Sequence, residues 1–203
     1  MNWIERMYEI KGRDPYSQNG EGLYLEYIFH SLKLKSKTFV DIGSGDGFIL
    51  SNTRHLIHLG FTGHQYDRLN GFDIHTENIL RVYEFASVFS IDIDGNDYWM
   101  LDTIMRGKPS PIIIAEFNPA FTDSRAIKYN HDHVWAGDDY YGFTFEAGVK
   151  LAEIHGYKVI FQIADMNMIM VRKDLIEGLT IPPVTYKQSN FFKMSERTDW
   201  VII

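Results

Sequence analysis

A chain of 203 residues, 45% apolar and 23% charged, is long enough to bury one full core and has the composition of an ordinary globular domain. It has no cysteine, which excludes disulfides, thiolate catalysis and Cys-ligated metals. The net charge of −7 leaves no surplus of Lys and Arg to displace counterions from nucleic acid, and Lys33, Lys35 and Lys37 form its only dense basic cluster. No run approaches the roughly 18 apolar residues that cross a bilayer, and residues 1–11 lack an apolar core of signal-peptide length. A cytoplasmic protein without a nucleic-acid or membrane partner is expected.

In chain order, residues 22–34 place Leu23, Tyr24, Tyr27, Ile28 and Leu32 on one helical face, within an N-terminal helical segment over 1–35. Thr38–Ile42 is a short apolar strand that runs into Gly43-Ser44-Gly45-Asp46-Gly47. Residues 49–59 read as a helix closed by Gly60, 63–67 as a second strand, and 76–85 as a helix with Ile79, Leu80 and Tyr83 at core spacing. A buried strand over 88–93 ends in Asp92-Ile93-Asp94-Gly95. A helix over 98–105, a strand over 111–117 and a helix over 145–155 follow. The strands 157–163 and 168–171, joined by four residues, must be antiparallel neighbours. Strands alternating with helices predict one α/β domain over 1–203, with a mostly parallel sheet, helices on both faces and a C-terminal antiparallel hairpin. Residues 118–142 have no period, yet carry Phe121, Tyr129, Trp135, Tyr140 and Tyr141. So aromatic a stretch reads as an ordered lid or acceptor loop, with Trp135 and Tyr141 as acceptor contacts.

A strand entering a glycine-rich turn presents bare backbone to a ligand. Gly43, Ser44 and Gly45 are placed against it, and Asp41 at the strand end can accept from the ammonium of a bound amino acid. A second acidic residue at the tip of the next strand can clamp two ribose hydroxyls; Asp67 follows Gly47 by 20 positions. This combination points to S-adenosylmethionine. A dinucleotide site would favour a third glycine where Phe48 stands.

The later strands end in acid. Asp92 and Asp94 share one side of their strand, and Glu116 and Asn118 share one side of theirs. In an open α/β sheet ligands sit beyond these ends, so the groups converge on an acceptor. Either Asp92 or Asp94 acts as general base, or Asp92, Glu116 and Asn118 hold a hard cation such as Mg²⁺, or these residues cap helices and tie loops. Asp92-x-Asp94 lacks the later glutamate of a calcium loop, because position 103 is Thr. His131-Asp132-His133 in the long loop offers a metal ligand or a base, but a lone H-x-H in a loop reads first as an exposed polar turn.

In order, these blocks resemble the FkbM-like branch of class I methyltransferases. The segments that carry the likeness are Tyr16-Ser17-Gln18-Asn19-Gly20-Glu21, residues 39–47, Ser51-Asn52-Thr53, residues 90–99, residues 115–118, Tyr140-Tyr141-Gly142 and the hairpin, within 16–172. The resemblance implies a Rossmann-like fold with cofactor contacts at Asp41, Gly43, Asn52 and Asp67. It also implies Gln18 and Glu21 near the cofactor and a catalytic floor over residues 90–95, with Asp92 touching both cofactor and acceptor. It further implies O-methylation of a small hydroxylated acceptor such as a sugar or glycan precursor. The chain departs from that pattern in placing only 22 residues between Asp67 and Ser90, so its third strand must be shortened to about residues 71–74. Two rivals are a metal-dependent glycosyl or nucleotide-processing enzyme using Asp92-x-Asp94, and a non-catalytic scaffold.

Overall fold

Short apolar runs that must bury both faces assemble into one central sheet. The computed structural model describes residues 1–83, 85–189 and 193–203, the side chains of Asn70 and Val82 aside. The strands are β1 (Thr38–Ile42), β2 (Thr62–Tyr66), β3 (Val88–Ile91), β4 (Ile112–Glu116), β5 (Arg125–Ala126), β6 (Tyr157–Ile163), β7 (Asn167–Arg172) and β8 (Val201–Ile202). Six of them form a sheet in the order β2-β1-β3-β4-β7-β6, and β5 pairs with β8. β2, β1, β3 and β4 run parallel, while β7 inserts antiparallel between β4 and β6. The β6–β7 turn has φ of +51° at Ala164 and +57° at Asp165, with Met166 N–H donating to the Ile163 carbonyl at 3.1 Å. Such a turn matches the twist of its strands. This is the expected α/β, Rossmann-like sheet, mostly parallel with a C-terminal antiparallel hairpin.

The helices are α1 (Trp3–Arg6), α2 (Glu21–Ser31), α3 (Arg54–His58), α4 (Ile79–Val82), α5 (Asp97–Gly107) and α6 (Phe145–Ile154). Side chains alternate across the sheet, so it carries two cores. Phe39, Val88, Ile112, Ile114 and Val171 pack with Leu25, Ile28 and Leu56 of α2 and α3. Val40, Phe89, Ile91, Ile113 and Met170 pack on the other face with Ile79, Leu101, Ile104 and Leu151 of α4, α5 and α6. Among the described residues no helix is long and apolar enough to cross a membrane.

Three expected elements differ. The helix predicted over 49–59 is only α3, because Asp46 accepts from the N–H groups of Phe48 and Ile49, both at 2.8 Å, and Leu50 has φ +60°. A side chain that captures backbone donors offers the chain an alternative to a helix. The helix predicted over 76–85 is reduced to α4, and Glu84 lies outside the described residues. Residues 71–74 form no strand. Gly71 turns the chain at φ +80°, and Asn78 takes backbone groups a strand would use, donating to the Asp73 carbonyl and accepting from His75 N–H, both at 2.9 Å.

The 118–142 segment is tied down at several points. Trp99 Nε1 donates to the Ile127 carbonyl at 2.9 Å, and Asn96 Nδ2 donates to the Asn130 carbonyl at 2.8 Å. The C-terminal residues return to it, with β8 on β5 and the Trp200 ring against both Phe121 and Tyr140.

Gly22 sets how closely α2 crosses α3, since a Cβ there would stand 2.4 Å from His55 Cβ. Gly22→Ala is expected to lower stability by about 2 kcal/mol through overpacking, although Ala is the better helix former. Urea unfolding of the two proteins measures this.

Candidate functional site

Parallel pairing brings the carboxyl ends of β1, β2 and β3 to one level. Gly43 N–H donates to the Tyr66 carbonyl at 2.8 Å, and Asp92 N–H donates to the Ile42 carbonyl at 2.9 Å. Gly43, at φ +86°, lies so near β3 that a Cβ would stand 1.6 Å from the Asp92 carbonyl oxygen. Gly45 is the opposite case: at φ +57°, nothing lies within 4 Å of its Cβ position. The first glycine closes the strand ends together and the second opens onto a cavity of about 510 Å³.

Gln18, Gly43, Ser44, Gly45, Asp67, Asp92 and Asp94 stand on the wall of this cavity. Asp67 spans two loops there, accepting from Gly45 N–H at 2.9 Å and Leu69 N–H at 2.7 Å. Ile49, Leu69 and Phe72, all exposed, supply an apolar part of the wall. Ser44 Oγ and His133 Nε2 are buried, face this cavity and have no hydrogen-bond partner. Buried polar atoms are nearly always satisfied, so two orphans on one wall mark a place for a polar ligand.

Other expected cofactor contacts lie off the wall. Asp41 is 2% exposed, accepts from Thr53 Oγ1 at 2.7 Å, and has its carboxyl pushed up by burial against hydrogen bonds from Thr53, Ser90, Gln65 and Ser51. Asn52 donates to Ser90 Oγ at 3.3 Å. Glu21, fully buried, accepts from Asn19 N–H at 2.7 Å and Asn167 Nδ2 at 3.1 Å. These three hold the loops from beneath.

The acidic groups do converge. Asp92, Asp94 and Glu116, all half-buried, offer carboxylate oxygens within 4.8 Å of one another. Burial and then the charges of Asp94 and Asp97 push Asp92 up to about 8, although a hydrogen bond with Glu116 opposes the rise. Burial, followed by Asp97, pushes Asp94 up to about 6. Glu116 is raised well above the carboxylate range by burial and then by Asp92. Like charges this close cannot all ionise, so Asp92 and Glu116 share a proton. The trio could instead hold a hard cation such as Mg²⁺. Asn118, expected beside Asp92 and Glu116, spends its amide elsewhere: it donates to the Asp139 and Tyr141 carbonyls at 2.9 and 3.1 Å and accepts from Ala120 N–H at 2.9 Å. Asp97 caps the turn into α5, accepting from Ile93 and Gly95 N–H at 2.9 and 2.8 Å.

Tyr141 is buried, and its hydroxyl is raised by burial and by the charges of Glu116, Asp94 and Asp92. It also lines a second cavity of about 250 Å³ with Met166, Lys187 and Gln188. Trp135 rests against Tyr141 with ring centroids 5.5 Å apart and donates to the Asp138 carbonyl at 2.7 Å. His131 and His133, read as an exposed polar turn, both reach the large cavity, and His133 is buried. Their place in an aromatic loop was the available signal.

No family model and no curated protein matches the sequence. Among solved structures the chain is similar to the pyocyanin biosynthetic protein PhzM, at 15% identity and TM-score 0.42, over 75% of this chain and 55% of that one. It is similar to CalS10, an amino pentose methyltransferase from Micromonospora echinaspora, at 10% identity and TM-score 0.43, over 75% or more of both chains (85% and 97%). It is similar to an O-methyltransferase family protein from Burkholderia thailandensis at 9% identity and TM-score 0.39, over 75% of this chain and 57% of that one. The chain thus spans little more than half of two of the three.

Carboxyls that keep protons in the fold release them on unfolding, so the folded state binds more protons than the unfolded one above pH 4 or so. Stability therefore falls as pH rises through the raised values, up to about 1.4 kcal/mol per pH unit for each retained proton. The neutral His133, whose ring is lowered by burial, opposes this only below about pH 6.5. Melting temperature is expected to drop between roughly pH 6.5 and pH 9, and Glu116→Gln is expected to flatten that slope. Scanning calorimetry across the window checks both.

Proposed function

We propose that the chain binds S-adenosylmethionine in the large cavity and methylates a hydroxyl of a small polar acceptor, such as a sugar or glycan precursor. The observation that carries the reading is the wall itself: a glycine turn open at Gly45, the unpartnered Ser44 Oγ beside it, and Asp67 across from it. This chemistry fits a ligand with an amino-acid end, ribose hydroxyls and a flat apolar base. Ser44 Oγ takes the polar end. Asp67 accepts from ribose hydroxyls, and Leu69 and Phe72 cover the base. Gln18 closes the near side. Asp41, Asn52 and Glu21 act as positioning residues that keep the turn in its open shape. Within methyltransferases, the order of sequence blocks favours the FkbM-like branch.

S-adenosylmethionine, when bound, supplies an electrophilic methyl group on a sulfonium. The protein's own task is to line up the acceptor oxygen and receive its proton. Asp92, with Glu116 beside it and a carboxyl pushed up to about 8, is suited to accept that proton at mildly alkaline pH. Asp94, raised to about 6, is ionised there and holds the acceptor by hydrogen bonding. Tyr141 and Trp135, next to the second cavity, form the acceptor side. The cavity volume of about 250 Å³ suits a single small ring or a short polar molecule.

Isothermal titration tests the binding half. S-adenosylmethionine is expected to bind with a Kd of roughly 1–100 μM, weakened at least tenfold by Asp67→Ala; no binding at millimolar ligand sinks the reading. For the chemical half, kcat/KM is expected to rise with an apparent pKa of about 8, a value belonging to the Asp92–Glu116 pair. Asp92→Asn is expected to lower kcat by roughly 10²-fold or more while the chain still binds S-adenosylmethionine. Chelation by EDTA is expected to leave the rate unchanged; a rate restored only by Mg²⁺ reassigns the trio to a cation.

A further inference from the structure

We propose that Asp73, His75 and His131 form a binding site for a divalent transition-metal ion of the Zn²⁺ type at the mouth of the large cavity. Each offers one ligand atom, and the three atoms lie within 4.8 Å of one another. They come from two segments far apart in sequence: the stretch that follows β2 and the long aromatic loop. His75 and His131 also stand on the cavity wall, with ring centroids 4.4 Å apart.

The surrounding groups are arranged as around a metal-binding imidazole. Glu77 Oε2 lies 2.7 Å from His75 Nδ1. A carboxylate only accepts, so the imidazole nitrogen facing Glu77 is the one that donates to it. With Nδ1 turned to Glu77, Nε2 is the nitrogen left to face a metal, and Asn78 Nδ2 lies 3.2 Å from it. A carboxylate on the far nitrogen is the usual partner of a ligating histidine, fixing its tautomer and raising its basicity. Tyr129 donates to the same carboxylate at 3.0 Å, so Glu77 joins the loop to the imidazole. Asp73 is oriented in a similar way. Arg68 Nε donates to its Oδ1 at 3.3 Å, while Oδ2 faces His131 Nε2 at 4.0 Å.

Two imidazoles and one carboxylate favour Zn²⁺, Co²⁺ or Ni²⁺ over Mg²⁺ or Ca²⁺, which prefer all-oxygen sets. Three protein ligands leave a fourth position for water or another ligand. Bonds of about 2.0–2.1 Å put tetrahedral ligands roughly 3.3 Å apart, so the atoms must draw in by roughly 1.5 Å at most. Asp73 and His131 are exposed side chains, so no core packing opposes that movement. The guanidinium of Arg68 opposes a cation there but is already paired with Asp73, and Glu77 adds a negative charge beside His75.

The test is Zn²⁺ titration by calorimetry, with Co²⁺ absorption as a second probe of coordination. Expected are one ion per chain with a Kd of roughly 10 μM or lower, and a visible Co²⁺ band typical of nitrogen ligation. His75→Ala and His131→Ala should each weaken binding at least tenfold, and Glu77→Gln should weaken it less. Absence of saturable binding, or binding that survives both histidine substitutions, overturns the site as an adventitious ion elsewhere. Should either histidine variant melt differently without metal, Asp73→Asn, on an exposed carboxylate, supplies the same comparison. None of these readouts depends on methyl transfer.

Discussion

The contact between Gly43 and the Asp92 carbonyl governs the rest of the site. Any side chain at Gly43 would occupy the space of that oxygen, so the ends of β1 and β3 meet only because the position is bare. Once they meet, the turn after β1 and the acidic end of β3 become two walls of one cavity. Parallel register carries the effect outward on both sides. Tyr66 at the end of β2 delivers Asp67 to the glycine turn, and Ala115 opposite Ile91 brings Glu116 level with Asp92. A single backbone approach therefore brings the glycine turn, Asp67, Asp92 and Asp94 around one space.

How much of this was legible depended on the range of the interactions. The buried strands announce themselves as runs such as Ile112-Ile113-Ile114-Ala115, which need cover on both faces and could hardly be anything else. The tight β6–β7 connection likewise fixes its own direction. Local side-chain competition was harder to see. Asp46 and Asn78 each capture backbone groups within a few residues and dissolve a predicted helix and a predicted strand. The periodicity of apolar residues carries no trace of that. The pairing of β5 with β8 was hidden for the opposite reason: two residues meet two residues from the far end of the chain, with no pattern long enough to read.

Within the site, the carboxylates at strand ends illustrate the same divide. Asp41 and Asp67 occupy equivalent-looking positions in the sequence, yet Asp41 still belongs to β1 and points into hydrogen bonds from Thr53, whereas Asp67 is one residue past β2 and reaches the cavity. Two positions of register separate a supporting group from a wall group, since Asp41 lies opposite Gln65 and not Asp67. The same holds for Glu116 and Asn118, which alternation assigns to one side. Asn118 lies beyond β4, where its amide is consumed by the Asp139 and Tyr141 carbonyls, and Asp94 takes its place near Asp92. His133 was undervalued because exposure was inferred from polarity, whereas His131 is exposed as expected. His133 is instead anchored by Arg68, which donates to its carbonyl at 3.1 Å.

A chain of net charge −7 that gathers three carboxyls behind a buried tyrosine works against its own stability. Burying like charges costs free energy unless a proton or a cation relieves it, and nothing in the packing of the two cores requires acids at these positions. Asp97, by contrast, repays its burial locally by capping two backbone N–H groups. Asp92, Asp94 and Glu116 cap no comparable set of backbone donors among the hydrogen bonds seen here. Groups that cost stability without a structural return are where function is to be sought, because a strained electrostatic arrangement persists only if something else depends on it. Here the dependence is geometric as well. The backbone contact that forces β1 against β3 also forces the acids toward the glycine turn, so the destabilising cluster and the ligand cavity cannot be had separately.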